Sequence, residues 1–290
     1  MARKILVRDG ELTEIVRTNH PSWFHLPDAA RADVNSHLAK LTPLLREISR
    51  QAVTGRCGQC LELSIYRALC AQPDVQYLGR FLDFDPTVPT RPKKLYRKEE
   101  PPRHFGNQAI QGEHRLDFLY LHPTAGLAGF EAKNLREWLY PHGNDVKRLL
   151  LKCVALNCVP VLVARRLPRV TSEVLETCGV ILHQTLNQLY CVADKDLAGN
   201  AMRQDLLGFD DIRVGDKPDA RLLCFIGTTL PEVLPVARTR FEKFKDLLAA
   251  YAHGKIQYTE FAGRVLLRAA GKEEADWEDD SQDHPHDDYY

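Results

Sequence analysis

The chain has 290 residues, 44% of them hydrophobic and 27% charged, and its 39 basic residues balance 39 acidic ones. This length allows one large domain, or a domain with extensions, around a buried core. We find no apolar stretch that approaches a membrane span and no signal-peptide core in MARKILVRDG, so we expect a cytoplasmic protein without a membrane partner. The eight scattered cysteines are then expected to be reduced and mostly buried.

The first 54 residues are predicted to form an N-terminal extension. Its predicted elements are a hairpin of 4–7 with 11–16, and helices at 28–40 and 43–53. Asp9-Gly10 between the first two segments is typical of a hairpin turn. Pro43 stands at a predicted helix start, where proline is tolerated.

The next predicted helix spans 59–70 and follows a break at 55–58. Its apolar residues recur at helical spacing. Glu62 stands between Leu61 and Leu63, close to this apolar stripe rather than on the fully wet side. Two roles stay open for Glu62: a boundary residue in solvent, or a metal ligand.

A strand is predicted at 75–84, and a long proline-rich loop follows at 85–106. A loop of this length inside a domain is usually functional or disordered. Its basic residues, interleaved with aromatic ones, suit contacts with a nucleic acid backbone. A solvated, flexible loop is the competing interpretation. The nucleic-acid-binding candidates in this loop are Lys93, Lys94, Arg97 and Lys98.

A second predicted hairpin holds the most informative residues of the chain. Apolar runs at 115–121 and 127–130 flank a turn-like segment. Asp117 lies inside the first run, and Glu131 and Lys133 end the second. Residues two apart on a strand point to the same face, so Glu131 and Lys133 share a side. Hairpin pairing is expected to bring Asp117 beside Glu131.

Charged side chains in apolar strands are costly unless something there uses them. A divalent cation held by both carboxylates, with a lysine beside the attacking water, is one such use. The carboxylate-x-lysine triplet alone is weak evidence, because Asp145-Val146-Lys147 repeats it. The second copy starts a predicted helix and has no strand before it, so it serves as a control for the first.

Helices and strands are predicted to alternate after the second hairpin, which favours an α/β fold. The elements are a helix at 145–157, a strand at 159–164, a short helix at 172–177, and strands at 180–183 and 189–192. The first of these helices has one apolar face, and Lys147, Arg148 and Lys152 are predicted to lie off it.

Residues 193–271 are predicted to form a helical C-terminal extension. Phe241, Phe244 and Leu248 recur at helical spacing, and a second helix is predicted at 259–269. Such apolar stripes usually join the intramolecular core. A homodimer or partner-protein surface on these helices is the second interpretation.

The segment 272–290 is predicted to be a disordered acidic tail, because it has nine acidic residues and one basic residue. Without it, 38 basic and 30 acidic residues remain, a surplus of eight positive charges. A basic body favours a polyanionic partner such as nucleic acid. One hypothesis is that the tail shields the basic cleft as a nucleic-acid mimic.

The pattern at 55–192 resembles the PD-(D/E)XK, or restriction-endonuclease-like, nuclease superfamily. Asp117, Glu131 and Lys133 match its motif, Glu62 matches its first-helix acid, and Leu116 replaces its proline. The resemblance implies an α/β fold: a restriction-endonuclease-like core, with a mixed sheet flanked by helices, and helical N- and C-terminal extensions.

The resemblance also implies a Mg²⁺-dependent nuclease that cleaves DNA rather than RNA, most simply as an endonuclease, with Mn²⁺ as a substitute ion. Asp117, Glu131, the Ala132 carbonyl and Glu62 are then the expected metal ligands, and Lys133 orients the attacking water. Arg136 and Lys147 are further candidates for phosphate contacts. For Trp138 we expect a packing role.

Other functions stay open. The second hypothesis is a non-catalytic DNA-binding or assembly subunit that retains the fold, and the third is an acid–base enzyme that uses Asp117 and Glu131. The latter is disfavoured because Lys133 should keep Glu131 ionised. Cys57-x-x-Cys60 has metal-ligand spacing but no second close pair. The sequence has neither a GxSxG elbow nor a phosphate-binding GxxxxGK loop.

Overall fold

The computed structural model describes residues 2–16, 22–90 and 95–272. The predicted acidic tail beyond Lys272, and the candidates Lys93 and Lys94, lie outside the described residues. The helices are α1 (Ala2–Arg8), α2 (Arg31–Ile48), α3 (Gln51–Cys70), α4 (Asn144–Leu156), α5 (Arg169–Thr177), α6 (Lys195–Met202), α7 (Ala220–Cys224), α8 (Leu230–Ala252) and α9 (Tyr258–Ala269). A 3₁₀ turn at Val192–Asp194 precedes α6, and a π-helix at Phe225–Thr229 joins α7 to α8.

The strands are mostly short. They are β1 (Thr13–Ile15), β2 (Trp23–His25), β3 (Gln76–Leu78), β4 (Arg80–Phe81), β5 (Lys98–Glu99), β6 (His104–Phe105), β7 (Gln108–Ala109), β8 (Phe118–His122), β9 (Gly126–Lys133), β10 (Val159–Ala164), β11 (Ile181–Gln184), β12 (Gln188–Tyr190) and β13 (Ile212–Val214).

A five-stranded mixed sheet, in the order β11-β10-β9-β8-β3, organises the fold. Strands β3, β8 and β9 are antiparallel, whereas β9, β10 and β11 are parallel. Parallel neighbours need crossover connections, and α4 and α5 provide them. The chain is therefore a mixed α/β protein with a sheet flanked by helices.

Both faces of the sheet are buried. Phe118 and Val161 face the cluster that also contains α3 and α8, whereas Leu119 and Leu162 face the cluster built on α4. This double burial explains the continuous aliphatic run that predicted β10. Gly129 lies where β9 meets α4, and a Cβ there would approach the Leu116 side chain to 2.6 Å.

The N-terminal hairpin prediction is wrong. Residues 2–8 form α1, and β1 pairs with β2 instead. Gly10 adopts a φ of +77° and ends α1, because its N–H donates to the Val7 carbonyl while the Glu11 N–H donates to the Leu6 carbonyl. This is the hydrogen-bond pattern of a glycine cap at a helix C-terminus. Asp9-Gly10 therefore stops a helix rather than turning a hairpin.

Three predicted boundaries also differ. The break at 55–58 does not exist, because α3 runs through both glycines and buries Val53, Cys57 and Cys60 on one stripe. Burial of this stripe outweighs a helix cost of about 1 kcal/mol per glycine. Helix α2 likewise runs through Pro43. The strand predicted at 75–84 is divided at Gly79, whose φ is +101°, into β3 and β4.

The C-terminal residues pack into the same core as the sheet. Helix α8 lies on α4 and β10, and α9 lies on α5 and α8. Phe241, Phe244 and Phe261 are buried in the cluster that contains the sheet and α3, which confirms the core interpretation of the two stripes, although Leu266 is exposed. The strand predicted at 189–192 corresponds to β12, which pairs with β13 outside the main sheet.

The prediction that no apolar stretch is long enough to span a membrane is wrong when the helices are judged by length and composition alone. The continuous helix Ala220–Ala252, formed by α7, the π-helix and α8, is long enough, and an 18-residue window of it has a mean hydropathy of 1.3. A third of that window is buried inside the protein. The later part of the same helix is a main contributor to the core, and core helices pass the same test.

Candidate active site between α3, β8, β9 and α4

Asp117 and Glu131 lie side by side, as the hairpin prediction required. Phe118 pairs with Phe130, so one further step of the antiparallel register sets Asp117 opposite Glu131. The Asp117 N–H donates to the Phe130 carbonyl at 2.9 Å, and the Asp117 Oδ2 accepts from the Ala132 N–H at 2.7 Å. The Asp117 carboxylate is therefore held against the backbone of the strand that carries Glu131.

Glu131 and Lys133 share one face of β9, as their spacing predicted. The Lys133 Nζ lies 3.2 Å from the Glu131 Oε1 and 2.9 Å from the Asp145 Oδ1 of α4. Burial opposes the charge on Lys133, but Glu131 and Asp145 outweigh burial and raise its pKa. Lys133 is therefore a firmly charged ammonium positioned by two carboxylates.

Glu62 reaches this site from α3. Its Oε2 lies 2.6 Å from the Lys98 Nζ, and the same nitrogen lies 2.7 Å from the Asp117 Oδ1. Burial, and then the negative charge of Asp117, raise the pKa of Glu62 to about 7, against the opposing effect of Lys98. Glu62 therefore lies at the site rather than on a wet boundary, and it exchanges its proton near neutral pH.

Lys98 was predicted to contact nucleic acid from a loop, and the structure places it differently. It lies on β5, paired with Phe81 of β4, and its side chain is only 12% exposed. Its Nζ also lies 5.0 Å from the centre of the Phe118 ring. Burial lowers the pKa of Lys98, but Asp117 and Glu62 more than compensate and raise it. Its charge is therefore engaged inside the site, because the β4–β5 ribbon turns the side chain inward.

Two site residues were missed by sequence reasoning. Lys152 of α4 was predicted to lie off the apolar face, yet it is buried, pairs with the Glu131 Oε2 and donates to the Arg115 carbonyl at 2.9 Å. Asp145 was treated as part of a control triplet, yet it pairs with Lys133. The position of Lys152, three residues after the buried Leu149 and four before the buried Leu156, was the available signal.

The remaining candidates lie farther from the carboxylates or in other contacts. Arg136 pairs with Asp211 at 2.5 Å and lies 3.9 Å from the centre of the Phe209 ring, so its charge is engaged in a structural network. The Lys147 Nζ lies 5.1 Å from the centre of the Tyr251 ring. Arg97 is exposed.

Trp138 is 46% exposed, so it lies at the surface and outside the hydrophobic core. Cys57 and Cys60 are buried free thiols on α3, and burial raises the pKa of Cys57 to about 12. A thiol with so high a pKa is a poor nucleophile near neutral pH.

The donor chemistry fits a hard divalent cation. Asp117, Glu131 and Glu62 supply carboxylate oxygens, which Mg²⁺ prefers, and the Lys98 ammonium already bridges two of them as a cation. Within residues 2–16, 22–90 and 95–272, no three acidic, histidine or cysteine side chains are grouped closely enough to hold a metal ion as they stand. The three carboxylates therefore match Mg²⁺ or Mn²⁺ in ligand type. The lysine ammonium groups that contact these carboxylates must move before an ion can enter.

A cavity of about 330 Å³ adjoins the site. It is lined by Ala132, Lys133 and Arg136 on one side and by residues of α2 and α3, such as Ile48 and Thr54, on the other. Glu62, Asp117 and Glu131 are not among its lining residues, so the cavity adjoins the carboxylates through Ala132 and Lys133 and does not enclose them. No known protein family, curated protein or solved structure matches this chain.

Proposed function

We propose that this protein is a metal-dependent nuclease of the PD-(D/E)XK type, and that it acts as a DNA endonuclease. One observation carries the proposal: Asp117 and Glu131 face each other on paired strands, with Lys133 beside Glu131. Burying two carboxylates side by side is costly. A site that binds a divalent cation gives these residues a use.

The order of elements around the site supports the proposal. Helix α3 supplies Glu62, the antiparallel strands β3, β8 and β9 of the main sheet follow with the short strands β4 to β7 inserted between β3 and β8, and α4 then leads to β10. This is the order expected from the resemblance, with the acids on the second and third strands. The departure at Leu116 changes no chemistry, because that side chain is buried in the cluster beneath the hairpin.

Each residue has a distinct role in the proposed reaction. Asp117, Glu131 and the Ala132 carbonyl, with Glu62, would hold Mg²⁺ or Mn²⁺, which polarises the scissile phosphate and lowers the pKa of the attacking water. Lys133 orients that water and offsets the charge that develops on the phosphate. Asp145 keeps the Lys133 ammonium beside Glu131.

The deciding experiment is cleavage of plasmid and single-stranded DNA with Mg²⁺ or Mn²⁺. Wild type is compared with Lys133→Ala and with wild type in EDTA, and circular dichroism checks that the variant is folded. We expect cleavage by wild type only. Full cleavage by folded Lys133→Ala would remove the assignment.

A second function is favoured by a specific observation. Lysine ammonium groups already contact all three carboxylates: Lys98 bridges Glu62 and Asp117, while Lys133 and Lys152 contact Glu131. This arrangement also suits a non-catalytic DNA-binding or assembly subunit, with a partner protein or a second copy bound through the C-terminal helices. Salt-sensitive DNA binding without metal-dependent cleavage would favour this function.

A further inference from the structure

Lys98 occupies the position between Glu62 and Asp117 that a bridging cation would take. Its Nζ lies 2.6 Å and 2.7 Å from one oxygen of each carboxylate. An ammonium is a compact point charge that can act as a tethered cation. A divalent ion that binds the same oxygens must therefore displace it.

Lys98 also fastens a loop. It begins β5, which pairs with β4, and residues 82–97 connect the two strands. Helix α3 holds this connection at other points as well. Gln59 exchanges two hydrogen bonds with the Tyr96 backbone, at 2.8 Å and 2.7 Å. Arg67 donates to the Pro86 and Val88 carbonyls. The contact of Lys98 with Glu62 is thus one of several contacts between α3 and residues 86, 88, 96 and 98.

We propose that Lys98 is a built-in competitor of the divalent cation: its ammonium holds Glu62 and Asp117 until a metal ion displaces it from the two carboxylates. This inference rests on the proposed function, because it requires that the carboxylates bind a metal. It adds a regulatory step to the same site: metal binding and displacement of the Lys98 ammonium are coupled.

The coupling follows from charge and space. The ammonium and a divalent ion cannot both contact the same two oxygens, because like charges repel strongly at such short range in a partly buried site. The metal ion therefore frees the Lys98 ammonium from both carboxylates when it enters the site.

The first test measures Mn²⁺ binding by calorimetry, without DNA, above the Glu62 pKa of about 7. Lys98→Met keeps the aliphatic stem over Phe118 but removes the competing charge. We expect it to bind Mn²⁺ at least about tenfold more tightly than wild type. Arg80→Met is the matched control, because Arg80 lies on the same ribbon and pairs with the exposed Glu99. We expect its Mn²⁺ affinity to equal that of wild type.

The second test measures the reactivity of the Lys98 amine in the wild-type chain. Acetylation by acetic anhydride is quantified by mass spectrometry with and without Mn²⁺, and the exposed Lys195 serves as the internal reference. Lys98 is expected to react severalfold faster with Mn²⁺, because displacement exposes it. Equal reactivity with and without Mn²⁺ would overturn the displacement of Lys98 by the metal ion.

The outcomes separate this inference from the proposed function. If wild type binds Mn²⁺, Asp117→Asn does not, and Lys98→Met binds no more tightly than wild type, competition by Lys98 is overturned while the metal site stands. If neither wild type nor Lys98→Met binds Mn²⁺, both the inference and the metal-dependent function are overturned. Binding by Lys98→Met that is tighter than binding by wild type and is abolished by adding Asp117→Asn supports both.

Discussion

The same carboxylate-x-lysine pattern occurs twice, with different structural results. Glu131 and Lys133 lie on strand β9, where residues two apart share a face, and they form an ion pair of 3.2 Å. Asp145 and Lys147 lie in the first turn of α4, where residues two apart point in different directions. Asp145 turns to Lys133, whereas Lys147 turns to the Tyr251 ring.

This difference shows that a short motif brings its residues to one face only when their spacing matches the period of the strand or helix that contains them. It also shows that the second triplet was a poor control for the first, because Asp145 belongs to the same ion-pair network as Glu131. The two lysines remain a good contrast. Lys133 contacts two carboxylates, and Lys147 covers an aromatic ring on α8.

The largest expected effect separates the two lysines by their kinetics. Lys133→Met should lower the rate of DNA cleavage at saturating DNA by about 100-fold to 1000-fold, because it removes a charge that acts on the phosphate in the transition state. Lys147→Met should change that rate little and raise KM by less than about tenfold, through weaker contact with the DNA backbone. Single-turnover cleavage over a range of DNA concentrations measures both. Equal losses of rate in the two variants would contradict the different roles assigned to Lys133 and Lys147.

The next effect concerns stability. Lys152→Met should lower the free energy of unfolding by about 3 kcal/mol, because Glu131 loses a buried partner. Lys147→Met, which loses one contact with a ring, should lower it by about 1 kcal/mol or less. Urea denaturation measures both values.

The double variant Glu131→Gln/Lys152→Met refines this prediction. It removes the buried charge together with its partner, so it should recover part of the stability that Lys152→Met loses. A double variant less stable than Lys152→Met would show that Glu131 does not depend on Lys152.

A smaller effect should appear in the pH dependence of stability. The folded-state pKa of Glu62, about 7, lies above its usual value of 4.5 because burial and Asp117 disfavour the anion. The folded protein therefore binds this proton more tightly than the unfolded chain does. The stability linked to Glu62 is present below the usual pKa and is lost as the pH rises through about 7.

Glu62→Gln should remove this dependence. Across that pH range, wild type should lose about 2 kcal/mol relative to Glu62→Gln. Denaturation at a series of pH values measures the difference, and Glu99→Gln, which alters an exposed ion pair, should run parallel to wild type. Parallel curves for wild type and Glu62→Gln would contradict the raised pKa.

The smallest effect tests whether the second triplet contributes to the first. Asp145→Asn should lower the cleavage rate by about threefold to tenfold, because Lys133 keeps Glu131 but loses its second carboxylate. The pKa of Lys133 should fall with that loss, so the alkaline limb of the rate profile should move to lower pH. An unchanged cleavage rate and an unchanged pH profile would show that Asp145 does not contribute to the function of Lys133.

Several elements followed from local sequence alone. Strand β10 and helix α4 were predicted to within one residue, and the hairpin of β8 and β9 to within three residues at its ends, because each element has a clear period and ends at turn residues. The shared face of Glu131 and Lys133 followed from the same period. The errors lie where local signals had two meanings, as at Gly10, which caps a helix, and at Gly55, which lies inside one.

The sequence by itself determined the mixed α/β alternation, the pairing of Asp117 with Glu131, and the placement of Lys133 beside them. Only the tertiary structure decided which cations lie on those carboxylates. Lys98 comes from β5 of the β4–β5 ribbon, and Lys152 and Asp145 come from α4. Their side chains reach the site because segments that are distant in the sequence pack against each other. Hydrophobic burial positions those segments, and periodicity along one element contains no information about which segment packs against another.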